Sequence, residues 1–187
     1  VPQLRSYWRE IVVMLLCGFI GLGLPDIDLA VLPILHHRSI VTHSVLVPIL
    51  ALSIANMPAR FGACGFVLGI SIHLSADILS PARGFGMVWL PWPIKYPLGP
   101  FSPLWLAANA FVGLVWVKVL LARLDSRAPH LAFVAGALIL APLYALVHEN
   151  KILPLVVFSA IFAASQFAAA RVSQMPWFRV LTPKKLR

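Results

Sequence analysis

Charge is what this chain has least of. Only 11% of its 187 residues are Asp, Glu, Lys or Arg, where a soluble domain carries about 25%. Acidic residues number six, against 60% hydrophobic residues. So little polar surface cannot cover that much apolar surface in water, and a mean hydropathy of +0.91 points to lipid as the solvent. Cysteine is nearly absent as well. Cys17 and Cys64 both sit inside apolar runs without ligand spacing, which argues against a disulfide framework or thiolate metal site and for small packing residues. Sustained polar/apolar alternation is missing too, and unpaired strands are excluded from hydrocarbon. The composition therefore predicts an all-α integral membrane protein with a single domain over residues 1–187.

Long apolar runs are what the chain does have. Six segments approach the roughly 20 residues that cross a bilayer as helix: about 7–24, 44–59, 61–79, 102–122, 131–148 and 152–170. The second is short and contains Pro48, so it is expected to tilt, kink or span incompletely. The apolar run after Arg5 and Arg9 is read as a retained first span, because no small-residue cleavage site follows it. Since the chain starts with Val, some N-terminal sequence is expected to precede it.

The net charge of +9 would suggest nucleic acid in a soluble protein. Here the basic residues stand singly between apolar runs or in the tail 171–187, where they set orientation and meet anionic headgroups. No nucleic-acid partner is expected, and membrane lipids are. Ten basic residues fall on the side of the N-terminus (Arg5, Arg9, Arg60, Arg123, Arg127, Arg171, Arg179, Lys184, Lys185 and Arg187) and four on the other (Arg38, Arg83, Lys95 and Lys151). That count places both termini in the cytoplasm. The tail, with Trp177 and Phe178, is expected to touch the inner lipid surface. The apolar faces of the last three helices could pack a second copy or a partner subunit.

Three of the four aspartates and four of the six histidines fall into two clusters. One is Leu24-Pro25-Asp26-Ile27-Asp28, then His36-His37-Arg38 and Thr42-His43-Ser44; the other runs from His73 to Asp77. Carboxylates and imidazoles are the usual ligands of divalent metals. Ionisable groups at membrane depth cost about 2.5–3.5 kcal/mol each on insertion scales, so they seldom sit there without a use. His73 and Asp77, spaced i,i+4, stack on one helix face. Asp26 and Asp28 would diverge on a helix; on a bent or extended segment they could bridge two ions, or one could bind while the other orients a histidine. Under the expected topology both clusters emerge on the outer face, as a single site requires. His130 and His148 read as helix-end polar caps, Glu149 as part of a solvated turn, and Asp125 as a loop charge paired with Arg123 and Arg127.

Residues 80–103 hold Pro81, Pro91, Pro93, Pro97, Pro100 and Pro103 with Trp89 and Trp92, and Trp105 follows. Repeated prolines forbid a regular helix, and Trp suits a membrane–water boundary. An interfacial loop over the outer mouth of the bundle is expected, either as a lid or as a plain connector with an aromatic belt.

The ordered set Leu24-Pro25-Asp26-Ile27-Asp28, His37-Arg38 with Thr42-His43-Ser44, and His73-x3-Asp77 followed by Gly84 and Pro91 resembles the YdjM-like family of bacterial membrane-bound, predicted metal-dependent hydrolases. The resemblance covers roughly residues 18–95; the remainder, about 102–170, matches only in being helical and apolar. It implies a helical inner-membrane protein with a metal site, distantly similar to zinc-dependent phospholipases C and P1 nucleases. Carried over by position, Asp26, Asp28, His37, His43, His73 and Asp77 become metal ligands. Many members have a tighter His-Arg-Gly-x-Thr-His, whereas here Ser39-Ile40-Val41 adds one residue, so His36 could replace His37. The early Thr-His of many members has no counterpart, because no histidine precedes His36.

Together these readings give an expected function: a metal-dependent hydrolase of the bacterial inner membrane, its site on the periplasmic side, cleaving a phosphate ester of a lipid or lipid-linked molecule. The expected metal is zinc, with manganese as the alternative. Asp26 or Asp28 would serve as ligand or general base, and Arg38, backed by Arg83, would grip phosphate. The rival is a metal-stabilised scaffold or partner-binding protein without catalysis. A divalent-cation transporter ranks third, since it needs ligands near the bilayer midplane.

Overall fold

Pro25 sets the first turn of the architecture. The apolar run of α1 (Trp8–Gly23) meets a residue with no N–H to continue the helical ladder. The axis bends by 48°, and a 3-10 segment follows at Pro25–Val31. In this computed structural model, which describes residues 8–54, 57–122 and 127–175, five more helices come next: α2 (Leu46–Ile54), α3 (Met57–Asp77), α4 (Ser102–Leu121), α5 (Ala128–Leu143) and α6 (Leu153–Val172). The last turn of α5 widens into a π-helical turn at Tyr144–His148. Among the described residues there is no strand, only isolated bridges linking Trp89 to Ser39 and Pro97. Arg5, Arg123, Asp125, Trp177, Phe178, Arg179, Lys184, Lys185 and Arg187 lie outside the described residues.

The fold is all-helical. Among the described residues three segments are long and apolar enough to cross a membrane: Gly99–Leu121, Ala128–His148 and Leu153–Val172. The bent pair Ile11–Gly23 and Pro25–Val31 makes a fourth if it is one broken span. The segments 44–59 and 61–79 are not among these; the helices there meet at residues 55 and 56, which lie outside the described residues. Helix α2 is described over nine residues, Leu46–Ile54. Helix α3, with 21 residues, is long enough to cross and is the central helix. Nearly all of residues 61–77 are buried, so its Gly, Ala and Ser positions and its two ionisable groups face protein instead of lipid.

Glycine brings α1 and α3 together. A Cβ at Gly65 would collide with the Met14 carbonyl oxygen, and one at Gly69 with the Gly18 carbonyl oxygen. Across from them, a Cβ at Gly21 would lie 2.8 Å from the Phe66 carbonyl oxygen. Small residues at such spacing let backbones approach closely, which matters where apolar burial gives little drive between helices in lipid. Met14, Phe61, Val67, Leu68, Leu114, Phe133 and Leu140 fill the interior around α3. Large apolar side chains such as Phe19, Leu104, Leu138, Val147 and Phe167 point outward. The close α1–α3 pair fixes the distance between the bend at Pro25 and the C-terminal turn of α3, where the two sequence clusters meet.

Candidate metal centre

The two aspartates after the bend go separate ways because the segment is 3-10. At about three residues per turn, positions two apart point roughly 120° away from each other around the axis. Asp26 turns toward α3, with Oδ1 3.8 Å from His73 Nε2. Asp28 turns into the following loop and is fully buried there.

Asp28 organises that loop. Its Oδ2 accepts the Ser39 N–H at 3.0 Å and the Thr42 hydroxyl at 2.7 Å. The same oxygen lies 3.4 Å from His43 Nδ1, while Oδ1 lies 3.3 Å from His37 Nδ1. A carboxylate ringed by donors is the form such a site favours. The turn also needs Arg38 at φ 57°, in the left-handed region. Further anchors come from outside the loop: Trp105 of α4 donates its indole N–H to the His43 carbonyl at 3.0 Å, and Asn109 Oδ1 accepts the Ser44 hydroxyl and the Val45 N–H.

His43, fixed on its Nδ1 side, presents Nε2 to α3. There His73 and Asp77, one turn apart, present Nε2 and Oδ2. His43 Nε2 lies 3.2 Å from Asp77 Oδ2, and His73 Nε2 lies 3.3 Å from the same oxygen. His73 Nδ1 faces the Leu22 carbonyl at 2.8 Å and the Tyr144 hydroxyl at 2.9 Å. A proton on Nδ1, donated to that carbonyl, leaves Nε2 as a lone pair turned inward. His43 and His73 are 0% and 3% exposed, yet both Nε2 atoms and Asp77 Oδ2 have no hydrogen-bond partner. Burying polar atoms unpaired is costly.

These three atoms face one another, and a cation held between them would satisfy all three. In a tetrahedral site with metal–ligand distances near 2.0–2.1 Å, neighbouring ligand atoms stand about 3.3–3.4 Å apart. The two Asp77–histidine separations match that edge. Asp26, His43 and His73 can each offer one ligand atom, all within 4.8 Å of one another. Two imidazoles and two carboxylates are a donor set suited to a divalent ion.

The other candidates of the sequence stand around this group. Asp28 and His37 lie on the far side of the His43 ring, away from Nε2. His36 is turned off to stack on Trp89, with centroids 4.1 Å apart. Arg38 is buried with its guanidinium committed: Nη2 donates to Asp77 Oδ1 at 2.6 Å and to the Ser80 hydroxyl at 2.9 Å, and Nη1 to the Gly86 carbonyl at 2.9 Å. Arg83 is exposed. The Pro- and Trp-rich stretch is tied to the histidine loop through the backbone, the Trp89 N–H donating to the Arg38 carbonyl and the Ile40 N–H to the Trp89 carbonyl. Two contributors were missed in the sequence. Tyr144 had no local signal, because it meets His73 only through the fold. The close approach of α1 to α3 did have one, in the spacing of Gly65 and Gly69.

In comparisons with known families, curated proteins and solved structures, no protein family, curated protein or solved structure matches this chain.

Proposed function

We propose that the protein is a membrane-bound metal-dependent hydrolase acting on a phosphate ester of a lipid or lipid-linked substrate. The observation that carries this reading is the convergence of unpartnered His43 Nε2, His73 Nε2 and Asp77 Oδ2 beside the Asp26 carboxylate. Zinc, or manganese in its place, would be held by His43, His73 and Asp77 with Asp26 beside the open position, and would supply Lewis acidity that acidifies water toward neutral pH and polarises a phosphoryl oxygen. Asp26, with a side chain 37% exposed, is the member open to substrate and is suited to taking a proton from attacking water. Asp28 acts through His43 and Arg38 acts through Asp77, both as positioning residues. Phosphate contact from arginine falls to the exposed Arg83. In the bilayer this reading uses six membrane-embedded helical segments with both termini cytoplasmic and the site near the outer face, in a bacterial inner membrane.

The scaffold alternative draws on one observation. His43 and His73 are almost wholly enclosed, as ligands of a closed structural site would be, and they tie the histidine loop to α3. The exposure of Asp26 favours the open, catalytic form.

Elemental analysis of protein purified in mild detergent tests the reading first. Near-stoichiometric zinc or manganese is expected in wild type and its loss in an Asp26→Ala/His73→Ala variant, followed by release of phosphate or a phosphorylated headgroup from phospholipid vesicles by wild type alone. Metal-loaded protein inert toward all phospholipid and lipid-phosphate substrates would favour the scaffold. Folded wild type that takes up no supplied metal would end both readings.

A further inference from the structure

A cleft of about 640 Å³ opens beside the metal-donor group, between α1 and the π turn that ends α5. Its volume lies within the roughly 300–1,000 Å³ of small-molecule sites. The walls divide by chemistry. Phe19, Ile20 and Val147 are among its apolar walls, while Asp26, Tyr144 and His148 bring polar groups to it. Asp26 belongs both to the cleft and to the donor group, and Tyr144 touches His73 Nδ1 as well as lining the cleft. His148 stacks on Tyr144 with ring centroids 4.8 Å apart. The apolar walls open outward: Phe19 is 60% and Val147 74% exposed, on segments long and apolar enough to lie in a bilayer. A second cleft, of about 320 Å³ and lined by the 3-10 segment, the histidine loop, α2 and α3, has no ionisable side chain in its walls.

We infer that the larger cleft is a lateral lipid-binding site. One acyl chain of a phosphate-bearing membrane lipid lies along Phe19, Ile20 and Val147, and its phosphate group reaches the metal-donor group beside His148, where a bound cation would offset the Asp26 carboxylate. The phosphate end of this inference rests on the hydrolase reading; the acyl end does not. The occupant follows from the surroundings. An apolar groove open toward hydrocarbon is in contact with lipid tails already, and a tail gains little by moving from bilayer to groove, because lipid is as apolar as Leu. Selectivity must then come from the polar end, where His148 and the Tyr144 hydroxyl offer hydrogen bonds to a phosphate oxygen. Such a lipid enters sideways and does not have to leave the membrane.

Photocrosslinking tests this. Full-length protein in phosphatidylcholine nanodiscs, supplied with zinc, is irradiated with a trace of phosphatidate carrying a diazirine at one chain terminus. Adducts are mapped by mass spectrometry. Enrichment of several-fold on Phe19, Ile20 and Val147 over the equally lipid-exposed Val156 and Phe167 of α6 is expected. An Ile20→Trp/Val147→Trp variant, changed only at outward-facing positions, should lose that enrichment while still binding zinc; Val147→Trp alone should lose part of it. The same diazirine chain on diacylglycerol, lacking phosphate, should label the cleft several-fold less. Even labelling over α1, α5 and α6, or enrichment that survives the tryptophans, overturns the cleft. Equal labelling by diacylglycerol overturns its phosphate end. Enrichment at the cleft in protein that binds no zinc would uphold its acyl end and remove the hydrolase reading instead.

Discussion

Arg38 and Asp77 are joined at 2.6 Å through Nη2 and Oδ1, which leaves Asp77 Oδ2 as the oxygen facing His43 and His73. The pair is what turns Asp77 toward the donor group. Removing one partner of a buried ion pair typically costs about 3–5 kcal/mol, because the other charge stays buried alone. Arg38→Met should therefore lower stability by that order in metal-free protein. It should also weaken metal binding about 10–100-fold, as losing an outer-shell partner commonly does. Thermal melts and competition with a fluorescent chelator measure both, and a variant unchanged in either would remove Arg38 from the support of the site.

Asp28 supports the site from the opposite direction. It accepts the Thr42 hydroxyl and the Ser39 N–H and faces His43 Nδ1. Asp28→Asn keeps its size but replaces an acceptor oxygen with a donor amide, setting two N–H-bearing groups against each other. We expect folded protein whose metal affinity falls about 10–100-fold, with the metal content still rescued at high metal concentration. Loss that no metal concentration rescues would make Asp28 a ligand in its own right.

Metal should stabilise the fold through mass action. Free metal at 100 times its Kd adds about 2.7 kcal/mol if only the folded state binds. The resulting rise in Tm should disappear in His43→Ala and in His73→Ala. It should persist in His36→Ala, since His36 stacks on Trp89 away from the donor group. A His36→Ala variant that also lost the shift would place His36 in the metal site and overturn the donor group as assigned.

The α1–α3 contact gives a test of the fold itself. Gly69→Ala and Gly65→Ala place a Cβ against backbone that cannot rotate away, and overpacking of a tight interior costs about 1–3 kcal/mol or more. Gly23→Ala is the control, because nothing lies within 4 Å of its Cβ position. Yields of monodisperse protein and melting temperatures in one detergent should fall for the first two alone.

How much of this could be read in the sequence depends on whether a residue's role is local. The i,i+4 spacing of His73 and Asp77 and the apolar runs of α4, α5 and α6 are local properties, and the structure carries them in the expected ranges. Asp26 and Asp28 could not be separated by inspection, because their divergence depends on the 3-10 turn after Pro25. Of the six apolar runs, three lie in segments long and apolar enough to cross a membrane among the described residues, with the bent α1 pair as a fourth, while α3 takes its place at the centre of the protein. His148 looked like a helix cap, and only the π turn brings it beside Tyr144 and into the cleft with Asp26.

Asp26 and Asp77 should separate catalysis from metal holding. Asp77 Oδ2 is buried between two imidazoles, so Asp77→Asn removes the central anion of the donor group and disturbs its bond to Arg38. Metal binding should be lost and stability should fall with it. Asp26 stands at the mouth, half open to the cleft. Asp26→Asn leaves His43, His73 and Asp77 in place, so it should retain metal with a modest loss of affinity, melt close to wild type, and lose at least 100-fold in phosphate-ester turnover, the lower range attributed to a positioned general base. Metal content, melting temperature and turnover measured on the same three preparations decide the outcome. If Asp26→Asn keeps both metal and turnover, Asp26 does not handle the proton. If it loses metal as completely as Asp77→Asn, Asp26 is an essential ligand, and the closed structural centre becomes the better description of the site.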